Sequence, residues 1–291
     1  MKIATFEMRR FLLIPVTCLL MVLMAMSTTQ VNAQTIKLPS DLSVGNDPKQ
    51  GTSTSTGSTL FCAAASGFTL KSTTADNSVT PAVNYTSWAW SELDPAGTAG
   101  ALPAGTATAT NEKLVVTSAT PGWHTYQVIA STGTAGCPAD PVLFTVFVLP
   151  DLSITSSIDP STPSLTYCAA SGAPTGANAI TLKSAVSFAT ALRTITGLRS
   201  LAVTNFDLTY VWTKEDLATG TKTTVGTNAA TYTVDDAASS TGGAEKKYKY
   251  SVQVAYTMKT CGTYTATTQY NSTDATITVT PKPGAPTITI E

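Results

Sequence analysis

Histidine is almost absent from this chain of 291 residues, which carries only His124. One imidazole, with no Gly-x-Ser-x-Gly elbow, gives no foundation for Ser-His-Asp chemistry. The chain also lacks His-Glu-x-x-His, a Walker-type loop and a dinucleotide-binding glycine fingerprint, so the common metal and nucleotide motifs are missing. Charge is scarce as well: Asp, Glu, Lys and Arg make up 12% of the residues, and the net charge is −1. No basic run or patch is present, which argues against a nucleic-acid partner, because phosphate neutralisation supplies most of that affinity. Beyond residue 26 no apolar run is long enough to span a membrane. What remains is a Thr-, Ser- and Ala-rich chain, a composition that suits β-strands with hydroxyls on the solvent face.

The one long apolar run lies at the N-terminus. Lys2, Arg9 and Arg10 precede apolar residues 11–26, and Val31-Asn32-Ala33 offers small residues where a signal peptidase reads. This pattern predicts a signal peptide over 1–33 and a mature chain from Gln34. The run is shorter than the ~20 residues of a spanning helix, which favours cleavage over anchoring. Cys18 raises a lipoprotein reading, but Thr17 is a poor residue to precede such a site, and the apolar stretch continues past it. The expected destination is outside the cell or on its surface, with the periplasm also compatible.

The mature sequence says nearly the same thing twice. Leu60-Phe61-Cys62-Ala63-Ala64-Ala65-Ser66-Gly67 is echoed by Thr166-Tyr167-Cys168-Ala169-Ala170-Ser171-Gly172. Thr-Leu-Lys-Ser follows at 69–72 and at 181–184. Aromatic segments come next, Trp88-Ala89-Trp90 and Tyr210-Val211-Trp212, then Tyr126-Gln127-Val128 and Tyr250-Ser251-Val252, then Cys137 and Cys261. One order of landmarks repeated twice means one structural unit used twice. Short alternating segments, frequent Gly and Pro turns and no amphipathic helix make the fold class all-β, with two tandem β-sandwiches. The expected division is 1–33 signal, 34–58 extended or flexible lead-in, 59–150 first domain, 151–163 hinge, 164–281 second domain, and 282–291 linker with a short strand. Residues 185–205 are excess in the second unit and suit an extra hairpin or a short helix.

Four cysteines remain after cleavage: Cys62, Cys137, Cys168 and Cys261. In an exported chain an even set reads as disulfides. If each repeat closes on itself, the pairs are Cys62–Cys137 and Cys168–Cys261. A zinc site is disfavoured, since there is no Cys-x-x-Cys and only one histidine. No cofactor is implied.

Cys62, Gly67, Leu70, Trp90, the Tyr126 to Val128 segment and Gly136-Cys137, matched by Cys168, Gly172, Leu182, Trp212, the Tyr250 to Val252 segment and Cys261, resemble the Ig-like and PKD-like modules of secreted Bacteroidetes surface proteins. The resemblance covers about three quarters of the chain. It implies Ig-like sandwiches that are not catalytic and serve as spacers, adhesive units or accessory domains. The late cysteine follows the Tyr-x-Val strand instead of lying within it, so antibody-like recognition is not implied. No C-terminal sorting domain is evident.

The candidate residues sort accordingly. Trp90, Trp212, Tyr126 and Tyr250 are expected core aromatics. Trp88 and Trp123 are candidate ligand-binding aromatics, able to stack on a glycan if exposed. His124 is expected at a surface position of a strand. Asp235 and Asp236 read as a turn, with calcium as a minor alternative. The alternating segments 35–38 and 287–290 are candidates for pairing with a sheet edge, through which the chain would oligomerise. The expected partner is a protein or a glycan at the cell surface.

Overall fold

The computed structural model describes residues 42, 60–64, 66–133, 138–159, 164–235 and 244–290. The signal peptide over 1–33, the segment 35–38, most of the lead-in, Cys137 and Asp236 lie outside the described residues. Leu42 is buried in the main apolar core.

The first sandwich contains β1 (Leu60–Cys62), β2 (Phe68–Lys71), β3 (Ala75–Asp76), β4 (Val83–Asn84), β5 (Ser87–Leu93), β6 (Ala99–Gly100), β7 (Ala107–Thr110), β8 (Lys113–Val116), β9 (Gly122–Ser131) and β10 (Val142–Leu149). One sheet runs β1-β10-β9-β5-β6, and a second runs β2-β8-β7; β3 and β4 form a small hairpin. The sheets meet through Leu114, Val116, Tyr126 and Val146, with Phe68, Leu70 and Trp90 packed around them.

The second sandwich contains β11 (Leu152–Asp159), β12 (Thr166–Cys168), β13 (Thr181–Phe188), β14 (Leu208–Asp216), β15 (Lys222–Val225), β16 (Thr231–Thr233), β17 (Lys246–Tyr256), β18 (Tyr264–Tyr270), β19 (Thr273–Asp274) and β20 (Thr276–Thr280). Strands β12, β20, β17, β14 and β15 lie on one side and β11, β13 and β16 on the other, joined where β18 pairs with both β17 and β11. Its longest strand shows the cause of the layering. Along β17, Tyr248, Tyr250, Val252, Val254 and Tyr256 are all buried, because alternate side chains share one face.

The fold is therefore all-β, with two tandem Ig-like sandwiches, and the repeat holds at the level of register. Trp90 stands opposite Val128 as Trp212 stands opposite Val252. Cys62 stands opposite Leu149 as Cys168 stands opposite Thr280, each in a parallel ladder. Trp212, Tyr126 and Tyr250 are fully buried; Trp90 is half-buried and donates its indole N–H to Asn111 O at 3.1 Å.

Three expectations need correction. The supposed hinge over 151–163 is mostly β11, a strand paired along its whole length with β13. Its Leu152, Ile154, Ser156 and Ile158 alternate inward, so Pro150 marks a turn into a sheet and not a tether. The C-terminal short strand over 286–290 is not formed, and Ile288 and Ile290 are exposed. The excess segment over 185–205 is neither hairpin nor helix for most of its length. It continues β13 as far as Phe188, runs on irregularly and ends in a short 3-10 turn at Val203–Asn205.

The disulfide framework is also different. Cys62 is bonded to Cys261, S–S 2.02 Å, while Cys168 is a half-buried free thiol. The expected Cys62–Cys137 and Cys168–Cys261 pairs are thereby excluded, and strand direction explains why. Val148, next to the Cys62 partner Leu149, pairs with Gly122 at the start of β9. Pro138, the described neighbour of Cys137, bridges Ser131 at the other end. At ~3.3 Å per residue the two ends of β9 are about 30 Å apart, far beyond the Cα separation of about 7 Å that a disulfide tolerates. The same holds for Cys168, beside the start of β17, and Cys261, beyond its end. Tandem linkage instead brings the β17–β18 loop to the end of the first sandwich that carries Cys62.

Candidate functional site

Polar, aromatic and covalent contacts converge where the two sandwiches meet, and four pieces of sequence build the junction. The first is the start of β9. Its even positions, including His124 and Tyr126, turn toward the interior of the first sandwich, while Trp123 turns toward the second. The expected exposure of Trp123 is overturned: it is only 3% exposed, its indole N–H donates to Arg199 O at 2.9 Å, and its ring meets Phe147 edge-on at 4.9 Å. From Phe147 the aromatic contacts continue to Phe206 and on to Tyr256, so one apolar cluster runs through both sandwiches. At the register position of Trp123, the second sandwich has the exposed Lys247.

The second piece is the irregular segment after β13. Arg193 lies alongside Gly122: Trp123 N–H donates to Arg193 O at 2.9 Å, and Arg193 N–H donates to Pro121 O at 2.8 Å. Gly122 has φ +116°, and a Cβ there would collide with the Arg193 backbone, so glycine is required by both conformation and space. Thr196 adds two hydrogen bonds to Pro95 O, from its N–H at 2.7 Å and its hydroxyl at 2.9 Å.

The third piece is a charge cluster in which Glu92 and His124 are buried and Arg193 is half-buried. The Arg193 guanidinium donates to Trp123 O at 2.7 Å and to Leu93 O at 2.6 Å, and lies 3.2 Å from Glu92 Oε1. The same carboxylate oxygen is 2.7 Å from His124 Nδ1, and His124 Nε2 is 2.7 Å from Thr120 O. His124 and Glu92 are both buried, which overturns the surface position expected for the histidine. Both ring nitrogens of His124 therefore have a partner within hydrogen-bond distance. Arg193, Glu92 and His124 line the floor of a cleft of about 440 Å³ that also touches Asp94 and Ser118. In the second sandwich the register positions of Glu92 and His124 hold Lys214 and Tyr248, which meet instead as a cation over a ring at 4.9 Å.

The fourth piece is the β17–β18 loop. Lys259 Nζ donates to Leu60 O at 2.5 Å and sits over the Phe61 ring, next to the Cys62–Cys261 bond. Tyr256 donates to Pro150 O at 2.9 Å, and Tyr264 donates to Asp151 Oδ1 at 2.7 Å. Burial, with the adjacent carboxylate, pushes the Tyr264 phenol up to about 12. Burial also raises Tyr256, with smaller contributions from Tyr264 and Asp151, and raises Tyr126, with Glu92 adding to it. A raised phenol favours the folded state fully below its unfolded value of 10.0, and that contribution is withdrawn as pH climbs toward 12. Tyrosinate absorbance of the folded protein is expected to lag that of the denatured chain, with Tyr126, Tyr256 and Tyr264 ionising last. Coincident titration curves would contradict the burial of these hydroxyls.

Of the other sequence candidates, Trp88 is half-buried, meets Tyr85 edge-on at 6.5 Å and donates its indole N–H to Thr73 O at 3.2 Å. Asp235 accepts from Tyr232 at 2.8 Å. No group of three or more metal-ligating side chains occurs among the described residues. Sequence reasoning missed Glu92 and Arg193. The available signal was the breaking of the repeat, with Trp123 and His124 standing where the second copy has Lys247 and Tyr248.

No protein-family model and no curated protein matches this chain. Among solved structures it is similar to the N-terminal four Ig domains of Dscam1 isoform 1.9, at 12% identity over 77% of this chain and 43% of that one, TM-score 0.32. It is similar to a 1.5-MDa bacterial ice-binding adhesin, at 16% identity over 79% and 63%, TM-score 0.34. It is similar to EC1-3 of mouse clustered PcdhgC3, at 12% identity over 77% and 64%, TM-score 0.31. The chain spans less than two thirds of each of these. At such identities the likeness concerns fold alone.

Proposed function

We propose that this chain is a non-catalytic exported module, outside the cell or on its surface, that acts as a structural and adhesive interaction unit of the kind found in Bacteroidetes surface proteins. The observation that carries this reading is the junction. A disulfide, the Arg193–Glu92–His124 cluster and a continuous aromatic core join the two sandwiches. A joined pair suits a unit that presents a surface at a distance. The disulfide itself favours an oxidising compartment. The single histidine has both ring nitrogens engaged at the junction.

The test is surface labelling of intact producing cells with an antibody to the folded protein, paired with an adherence assay of a strain lacking it. Labelling of intact cells and reduced adherence are expected. Labelling only after lysis would sink the reading. A glycan-binding role would rest on Trp88, because Trp123 is enclosed. Glycan-array signal lost in Trp88→Ala would favour it.

A further inference from the structure

In the second sandwich, β11 arrives from the first sandwich and fills a place between β13 and β18. Ile158 stands opposite Leu182, and Ser156 stands opposite Thr268 with their hydroxyls 3.0 Å apart. With that strand in place, Ile180 and Leu182 are 0% exposed.

Among the described residues, no strand takes the same place in the first sandwich. Strand β2 is the register counterpart of β13, through Thr-Leu-Lys-Ser, and among the described residues it pairs only with β8. Phe68 and Leu70, counterparts of Ile180 and Leu182, are only half-buried. Val142, counterpart of the half-buried Ala266, is 61% exposed. The residues that precede β1 as β11 precedes β12 are 46–53, Asn-Asp-Pro-Lys-Gln-Gly-Thr-Ser. Apart from Pro48, whose ring cannot donate to a ladder, they hold no apolar side chain to take the inward positions of Leu152, Ile154 and Ile158.

A strand of the right pattern lies elsewhere. Thr280-Pro281 leads out of the second sandwich as Leu149-Pro150 leads out of the first. The following Thr287-Ile288-Thr289-Ile290 alternates as β11 begins, joins no ladder, and leaves Ile288 92% and Ile290 100% exposed. The same end of the second sandwich carries Cys168, a free thiol at the position where Cys62 is bonded in the first.

We propose that residues 286–290 of one copy add as a donor strand to the β2 edge of a second copy, with Ile288 opposite Leu70 and Ile290 opposite Phe68. Main-chain hydrogen bonds supply the attachment, and burial of the two isoleucines fixes the register. The donor and acceptor surfaces differ, so the contact is head to tail and extends into chains unless the rotation closes a ring. The inference does not depend on the adhesive reading, since it concerns only how copies associate.

The test uses the exported chain with its disulfide intact and free thiols alkylated, so that no covalent exchange contributes. Light-scattering mass is expected to rise with concentration to at least about twice that of the protomer, as strand addition requires. I288D/I290D, which alters only exposed side chains, is expected to hold the protomer mass. A fluorescent peptide of residues 284–291 is expected to bind that variant saturably and to slow amide exchange at 68–71. Four results would each overturn the proposal: a protomer mass at all concentrations with no peptide binding; association that survives I288D/I290D; protection that falls away from β2; or peptide binding that appears only after residues 34–58 are deleted. The last would assign the edge to the chain's own lead-in.

Discussion

Cys62→Ser or Cys261→Ser is expected to lower folding stability by about 5 kcal/mol, from the chain-entropy treatment of so long a loop. The bond spans a sequence separation of 199, so it encloses nearly everything from the end of β1 to the β17–β18 loop. Denaturant unfolding under non-reducing conditions measures the loss. The two serine variants should be equally affected, and Cys62→Ser/Cys261→Ser should be little worse than either, since each single change removes the same bond. Non-reducing peptide mapping should recover one fragment that joins Cys62 with Cys261, and Cys168 should alkylate without reduction. A Cys62–Cys137 fragment would overturn the junction described above, because it would take Cys62 away from Cys261.

Arg193→Ala is the second large effect, expected at about 3 kcal/mol, in the range for removing one member of a charge cluster with buried partners. Two consequences add. Carbonyls of Leu93 and Trp123 lose their donors, and Glu92, only 5% exposed, keeps His124 but loses its guanidinium. Arg193→Lys should recover only part of the loss, because an ammonium cannot reach two carbonyls and a carboxylate in the geometry of the planar fork. The comparison separates charge from shape. Equal stability of the alanine and lysine variants would show that the fork contributes nothing. Unchanged stability in both would show that the segment after β13 is not a clamp at all. Thermal melts of the oxidised protein give both values, and the disulfide keeps the sandwiches tethered in each variant.

Much of each sandwich was legible from alternation and from the repeat. Trp212, Tyr126 and Tyr250 could be placed in cores because each sits in a period-2 segment aligned with its counterpart. The junction was not legible, and the reasons are physical. A repeat read as two closed units says which residues correspond, but not at which end of a strand each one lies. Pairing Cys62 with Cys137 on the strength of the repeat ignores this, since β9 separates Cys62 from Pro138 by its full length. Trp123 and His124 looked like residues at the exposed start of a strand. Both are buried because a segment more than sixty residues later folds over them, a long-range contact that leaves no local pattern. The β11 strand reads as a hinge because Pro150, Asp151 and Pro160 frame it with linker chemistry, and the alternation of Leu152, Ile154 and Ile158 shows its meaning only once β13 lies beside it.

The Cys62–Cys261 bond also decides how this protein would answer a pull. Tension applied through the two ends of the chain passes directly from residue 62 to residue 261, across two sulfur atoms. At roughly 3.3–3.6 Å per residue, the enclosed contour amounts to about 660–720 Å of slack that stays locked away. The first sandwich beyond β1, the junction and β11 to β17 carry little of that tension while the bond is oxidised. Among the described strands, β1 and the stretch from β18 to β20 stand in its path. The protein therefore resists lengthening through covalent chemistry, and its hydrogen-bonded sheets need only keep their shape.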